Sequence, residues 1–153
     1  MSSNDVPHAT EVVVRGSGLG FAQEISVRSH RFVADEPVSD DGTDTGPTPY
    51  ELLLAALGSC ASMTVALYAR RKGWSLEAVT VRLSHSRIHA VDCAECETKA
   101  GWLDRVEWSL HFQGDLTAAQ RTRLLAIAQM SPVHRTLQSA VHIPAPTDGS
   151  SPA

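Results

Sequence analysis

The feature that most constrains the fold is one long apolar segment, residues 48–73. It opens with the form of a capping box, in which Thr48 is the N-cap, Pro49 takes the first helical position and Glu51 stands three residues after the cap. Residues 52–57 read Leu-Leu-Leu-Ala-Ala-Leu and are apolar on every face of a helix. The pattern predicts a helix that is buried on most sides.

The end of this helix is equally well marked. Residues 70–72 are Arg-Arg-Lys, which complement the negative C-terminal end of the helix dipole, and Gly73 ends the helix. A helix this apolar in a chain of 153 residues needs extensive covering. We therefore expect a homodimer in which the partner subunit buries part of residues 52–57.

Alternating apolar and polar residues predict strands on both sides of the helix. The segment 35–47 is a polar loop, and Asp35 and Glu36 are expected there as solvated carboxylates. The predicted strands are Thr10–Val14, Phe21–Val27, His30–Ala34, Val79–His85, Val106–Phe112 and Ala140–Ile143, and a second helix is expected over Thr117–Met130. The fold class is α+β, with an antiparallel sheet, a long central buried helix and a second helix.

Length, charge and cysteine content limit the classes of function that are expected for this chain. The length fits one domain over residues 10–143, with disordered segments at 1–9 and 144–153. A net charge of −4 without basic clusters excludes nucleic acid as an expected partner. We find neither a membrane-spanning stretch nor a signal peptide, so the expected compartment is the cytoplasm. There, three cysteines indicate free thiols, catalysis or metal binding before structural disulfides.

Three stretches carry a family resemblance: Ala-Asp-Glu-Pro at 34–37, Gly-Pro-Thr-Pro-Tyr-Glu at 46–51 running to Gly-Ser-Cys at 58–60, and Ser-Pro-Val-His at 131–134. Over residues 10–143 the chain resembles the OsmC/Ohr family of thiol-dependent hydroperoxide reductases. The resemblance implies an intertwined homodimer of α+β subunits with active sites at the interface. It also implies a reactive cysteine on the central helix, a resolving cysteine before Pro-Val, and an Arg–Glu pair that activates the first thiol.

The chain departs from this pattern at two positions. Ser131 stands at the resolving position, where it can cap a helix but cannot form a disulfide. The peroxidatic enzymes of the family place a glutamate ten residues before the reactive cysteine, and that position is Tyr50 here. Glu51 comes one residue later, a rotation of about 100° on an ideal helix.

Cys60 is the residue expected to carry the chemistry, because a thiolate attacks a peroxide oxygen. The alternative is a buried cysteine that packs as a small hydrophobic side chain. A cation beside the thiol is needed, and Arg15, expected in the turn between the first two strands, is the candidate by analogy. Glu51 could orient that arginine, although its first role is in the capping box. His134 is either a proton donor or a polar residue of a first helical turn.

Cys93 and Cys96 form a lone CxxC in a polar loop. With His85 and His89 they could offer four nitrogen and sulfur ligands to a metal, but the spacing matches no known zinc site. They could also be incidental thiols, close on each other, or resolve oxidised Cys60. We favour resolution by an external thiol.

The predicted function is thus a redox protein of the oxidative stress response that reduces small organic peroxides through Cys60, with no cofactor and no bound metal. The first alternative is a non-catalytic dimer that binds a small apolar molecule. The second is a metal binder that uses the CxxC loop.

Overall fold

The computed structural model describes residues 10–149. The predictions for residues 1–9 and 150–153 lie outside the described residues. The chain divides into two compact units, Met1–Leu54 and Ala55–Ala153. Each unit is described below by itself, and helix α1 begins in the first and ends in the second.

The first unit contains a three-stranded antiparallel sheet. Its strands are β1 (Val12–Gly16), β2 (Gln23–Val27) and β3 (His30–Ala34), in the order β1-β2-β3. The β2–β3 turn is tight, and Arg28 adopts a positive φ of 52° within it. The strands predicted from alternation are present, with β1 and β2 each starting two residues later than expected.

Asp35, directly after β3, corrects one prediction. Its side chain is 2% exposed rather than solvated. The carboxylate accepts hydrogen bonds from the backbone N–H groups of Glu36, Thr43 and Thr45 and from both threonine hydroxyls. The Thr43 hydroxyl contributes most to holding the pKa of Asp35 well below its ordinary value, and burial opposes this only in part. The loop folds around this carboxylate, which sequence periodicity could not reveal.

We expect Asp35→Asn to lower the melting temperature by several degrees at neutral pH, because an amide cannot accept five hydrogen bonds. The folded-state pKa lies below the unfolded value, so the charge stabilises the fold at neutral pH and this stability is lost as pH falls below about 4. The difference from wild type should therefore shrink in acid. Asp44→Asn, at an exposed position in the same loop, is the control, and thermal melts from pH 7 to pH 3 make the comparison. Equal losses in both variants would contradict the assignment.

Helix α1 spans Pro49–Lys72, as the sequence predicts. The capping box is present: the Thr48 N–H donates to the Glu51 carboxylate at 2.8 Å, and the Glu51 N–H donates to the Thr48 hydroxyl at 3.3 Å. At the other end Gly73 has a φ of +67°, and the Trp74 N–H reaches back to the Ala69 carbonyl. This is the hydrogen-bond pattern that ends helices at glycine.

The second unit is built on a long hairpin. Strand β4 (Ala78–His89) pairs antiparallel with β5 (Trp102–Gln113), and each is longer than predicted. Helix α2 (Ala118–Gln129) follows, capped by Thr117 and Gln120 in a second capping box, and α3 (Pro132–Leu137) comes next. The core joins α1, the end of β5 and α2 through eight buried residues: Ala61, Val65, Ala69, Phe112, Leu116, Leu124, Ile127 and Ala128.

Helix α1 is buried on one face only. Its buried residues are Leu57, Gly58, Ala61, Val65 and Ala69. Apolar side chains elsewhere on the helix are exposed in the single chain, with Leu53 at 40%, Met63 at 70% and Leu67 at 38%. Burial on most sides is therefore not achieved within one chain, because the elements that pack on α1 cover a single stripe.

The prediction that no stretch could span a membrane also needs correction. An 18-residue window of α1 has a mean hydropathy of 1.8, and the helix is long and apolar enough to cross a bilayer by length and composition. A core helix of a soluble protein satisfies the same criteria, and 28% of this window is buried inside the chain.

The predicted strand over residues 140–143 is wrong. This segment forms no strand. Val141 is 56% exposed and Ile143 is 82% exposed. No strand pairs with the segment within residues 10–149, and isolated alternation cannot supply the missing hydrogen bonds.

Candidate functional site

Cys60 is the free thiol of the chain. The sequence has three cysteines, and Cys93 and Cys96 are joined in a disulfide. Cys60 is half-buried on α1, between the buried residues Gly58 and Ala61. The central helix therefore presents one thiol, in the second unit.

Gly58 explains how α1 comes close to the hairpin. A Cβ atom at this position would lie 2.7 Å from Leu83 Cδ1 and 3.8 Å from Val81 Cβ. Any side chain would force these groups apart, so the missing side chain allows helix and strand to touch. Cys60 lies two residues beyond this closest approach.

The hydroxyl groups near Cys60 bind the helix backbone. Thr64 Oγ1 donates to the Cys60 carbonyl at 2.7 Å, and Ser59 Oγ donates to the Ala56 carbonyl at 3.2 Å. Such bonds to the preceding turn fix the side-chain rotamers and occupy both hydroxyls. No hydrogen bond to the Cys60 sulfur is formed within the described part of the chain.

Ser131 lies between α2 and α3 and is fully buried. Its backbone carbonyl accepts from the Arg135 N–H at 3.0 Å, so Ser131 is the N-cap of α3. Its hydroxyl makes no capping bond, contrary to expectation, because the side chain is buried, and among residues 10–149 it has no hydrogen-bond partner. A buried hydroxyl without a partner costs about 1–3 kcal/mol, so this is an unusual place for a serine.

His134 belongs to the same region. Its ring stacks on Trp108, with centroids 5.3 Å apart and planes 16° apart. Trp108 is paired with Leu83 in the β4–β5 register, and directly opposite residues share a face of the sheet. Contacts therefore lead from His134 through Trp108 and Leu83 to Gly58, close to Cys60 on α1. His134 Nδ1 is buried and, like the Ser131 hydroxyl, has no partner among the described residues.

The proposed activating residues occupy the first unit. The Glu51 carboxylate is bound to the Thr48 N–H, and none of the salt bridges found in residues 10–149 involves Glu51. Arg15 lies in β1 opposite Glu24 rather than in the turn, since pairing with β2 extends to Gly16. Tyr50 is 53% exposed. The arrangement that would bring Arg15 or Glu51 to Cys60 stays a prediction.

The CxxC loop does not form a metal site. Across the described range no group of three or more His, Cys, Asp or Glu side chains could hold a metal ion. His85 Nε2 lies 2.9 Å from an Asp104 carboxylate oxygen, and His89 stacks on Trp102 with ring centroids 3.7 Å apart. Cys93 and Cys96 are bonded to each other instead, as a CxxC that closes on itself.

The disulfide is remote from the point where α1 meets β4. His89, at the end of β4, lies six positions beyond Leu83, a span of roughly 20 Å along the strand. A disulfide needs Cα atoms within about 7 Å of each other. A direct bond between Cys60 and either loop cysteine of the same chain would require a large rearrangement.

Sequence reasoning noted Gly58 only as part of the motif that ends at Cys60 and missed its packing role, and it missed Trp108. Glycine inside an apolar helix costs about 1 kcal/mol relative to alanine, and this cost is a signal of close packing. Trp108 stands among the alternating residues of a predicted strand, but its stacking partner could not be read from the pattern. Nothing in the sequence indicated that the Ser131 hydroxyl would be buried without a hydrogen-bond partner among residues 10–149.

A three-stranded sheet, a long hairpin and a central helix bearing one free thiol define a distinct class of α+β protein. The chain belongs to the OsmC-like protein family, whose family model matches residues 42–144. No curated protein matches the chain in sequence.

Solved structures share the fold. An OsmC-like protein from Mycoplasma pneumoniae has a TM-score of 0.67 at 15% identity, covering 86% of this chain and 89% of that one. An organic hydroperoxide resistance protein, OsmC, from Legionella pneumophila has a TM-score of 0.63 at 17% identity. The match covers 86% of this chain and 90% of that one. The organic hydroperoxide resistance protein OhrB of Bacillus subtilis has a TM-score of 0.58 at 18% identity. The match covers 85% of this chain and 90% of that one. The predicted α+β, OsmC-like fold class is confirmed.

Proposed function

We propose that this protein reduces small organic hydroperoxides through Cys60 and uses an external thiol as reductant. The observation that carries the proposal is the free, half-buried Cys60 thiol on the central helix of an OsmC-like fold. Structural relatives that are named organic hydroperoxide resistance proteins supply the substrate class. The proposed setting is the cytoplasm, where thiol reductants are abundant.

The reaction needs one nucleophile and two external thiols. The Cys60 thiolate attacks a peroxide oxygen, so that an S–O bond forms, the O–O bond breaks and the alcohol leaves with a proton. Cys60 is then a sulfenic acid. One external thiol condenses with it and releases water, and a second thiol reduces the mixed disulfide and restores Cys60. Leu83 and Trp108 give the hairpin face near α1 an apolar character that suits an organic substituent.

Two features support external resolution. Ser131 has no thiol at the position where the family resemblance implies the resolving cysteine. The Cys93–Cys96 pair lies beyond the end of β4, which is itself roughly 20 Å along the strand from the contact of Leu83 with α1. We further propose that His134, whose Nδ1 has no partner among the described residues, donates the proton to the leaving alcohol.

The proposal is tested by adding one equivalent of tert-butyl hydroperoxide and mapping the products by mass spectrometry. We expect a sulfenic acid at Cys60, or a mixed disulfide when a small thiol is present. A Cys60 that stays unmodified in excess hydroperoxide would refute the peroxidase function. Quantitative Cys60–Cys93 or Cys60–Cys96 crosslinks would instead refute external resolution.

We also propose that the protein is a homodimer. The exposed Leu53, Met63 and Leu67 side chains of α1, with Val141 and Ile143, are apolar surface that a partner subunit would cover. Light scattering at micromolar concentration should give twice the 16.4 kDa mass of the chain.

Charge placed on the exposed side of α1 tests the same proposal. Met63→Glu should shift the protein toward monomer, because the carboxylate would be buried without a partner. Val91→Glu, at a position equally exposed in the loop after β4, should leave the dimer intact. A wild-type protein that scatters as a 16.4 kDa monomer would reject the dimer.

A non-catalytic dimer that binds a small apolar molecule is the second candidate. One observation favours it: a groove of about 800 Å³ beside the C-terminal half of α1, where the apolar Met63, Leu67, Trp74 and Val79 line it together with Arg70 and Glu77. A binding protein would retain its ligand affinity in Cys60→Ser and would show no hydroperoxide turnover.

A further inference from the structure

The disulfide at the tip of the hairpin is used by no step of the proposed reaction. Cys93 and Cys96 are half-exposed, in a loop over residues 90–101. The loop is closed by backbone hydrogen bonds from Ala90 N–H to Gly101 and from Cys93 N–H to Ala90, and Lys99 Nζ donates to the Cys93 carbonyl at 2.6 Å. The bond is thus within reach of a small thiol in solution.

A structural role explains this disulfide poorly. It links residues only three apart, and the stabilisation from a disulfide falls as the closed loop becomes shorter. The ends of the loop are already held by the β4–β5 ladder, which continues to the pairing of His89 with Trp102. Of the loop residues, only Ala90 is buried. Little of the fold therefore depends on the bond.

We propose that Cys93 and Cys96 form a second redox centre, a thiol–disulfide exchange site whose substrate is an external neutral dithiol and which works independently of Cys60. A thiolate of the dithiol attacks one sulfur, forms a mixed disulfide and releases the other cysteine as a thiolate, which takes up a proton. The second thiol of the dithiol then attacks the mixed disulfide. Two electrons and two protons pass to the cysteine pair, and the dithiol leaves as its own disulfide.

The charges around the pair determine which thiol is preferred. Asp92, Glu95 and Glu97 are exposed beside the cysteines, and Lys99 is the basic residue of the same loop. The local surplus of negative charge repels any attacking thiolate, and it repels that of glutathione more strongly because the carboxylates of glutathione add to its charge. Salt should reduce this difference, because it screens exposed charges.

Reduction of the pair should also be visible at Trp102. This side chain is 55% exposed and stacks on His89 at the base of the loop. Opening the disulfide removes a constraint on the loop that begins beside this stack, so the Trp102 fluorescence should change. The matched control is Cys93→Ser/Cys96→Ser, which cannot respond.

The test equilibrates the full-length protein with reduced and oxidised dithiothreitol at varied ratios. Acid quenching, alkylation and mass spectrometry then report the state of the 90–101 peptide, and circular dichroism reports the fold. We expect a reversible two-electron transition in the folded protein, unchanged in Cys60→Ser and without any peroxide. The rate with glutathione should rise several-fold with salt, and by a larger factor than the rate with dithiothreitol, whose attacking thiolate carries a single charge.

Three results would overturn the inference: a disulfide that is reduced only after denaturant unfolds the chain, a transition that vanishes in Cys60→Ser, or a glutathione rate that rises with salt no more than the dithiothreitol rate. None of these measurements uses hydroperoxide. The result of the test therefore does not depend on whether the protein is a peroxidase.

Discussion

Replacing Cys60 by serine is expected to reduce dithiol-dependent consumption of an organic hydroperoxide to the uncatalysed background. Serine keeps the size of the side chain but is a far weaker nucleophile toward peroxide oxygen, so the first step of the reaction is lost. The measurement is the initial rate of tert-butyl hydroperoxide loss with excess dithiothreitol, for wild type and variant at equal concentration.

The disulfide pair provides the control. Cys93→Ser/Cys96→Ser should retain the wild-type rate, because external thiol resolves Cys60. If the double variant lost activity as completely as Cys60→Ser, the loop pair would be the resolving group and the account of resolution would be wrong. If Cys60→Ser kept the wild-type rate, Cys60 would not be the nucleophile.

The second large effect is on stability. Leu124→Ala should lower the free energy of unfolding by about 3 kcal/mol, because Leu124 is fully buried and its truncation leaves a cavity between α1 and α2. Its neighbour offers a matched control, since Leu125 is 44% exposed on the same helix. Leu125→Ala should cost less than about 1 kcal/mol.

Urea unfolding at a fixed protein concentration measures both variants, and a fixed concentration is needed because dimerisation would contribute to stability. Similar losses for Leu124→Ala and Leu125→Ala would show that α2 is not packed as described, or that a partner subunit covers Leu125 as fully as the core covers Leu124.

Much of the fold could be predicted from the sequence because its signals are local. The capping box of Thr48 and Glu51, the glycine stop at Gly73 and the period-two alternation of β4 and β5 each act within a few residues. The predicted strand at 140–143 failed because a strand also needs a partner edge. A single chain buries only one face of α1, and the predicted covering of the remainder by a partner subunit stays a prediction, because an apolar helix does not specify what covers it.

The site was predictable only in part. Cys60 could be singled out by its place in a family motif, and Ser131 and His134 by the motif after α2. The hydrogen bonds around Asp35 could not be predicted from the sequence, because they depend on a loop that brings Thr43 and Thr45 back to the end of β3. The pairing of Cys93 with Cys96 was one of several open alternatives, because the same spacing serves metals, free thiols and disulfides.

The central claim is that Cys60 is a reactive thiol. Its most direct test is the second-order rate constant for oxidation of Cys60 by tert-butyl hydroperoxide, measured by stopped flow in Cys93→Ser/Cys96→Ser, where Cys60 is the remaining cysteine. We expect a rate constant on the order of 100-fold or more above that of free cysteine at the same neutral pH. A Cys60 that reacts no faster than free cysteine would contradict it.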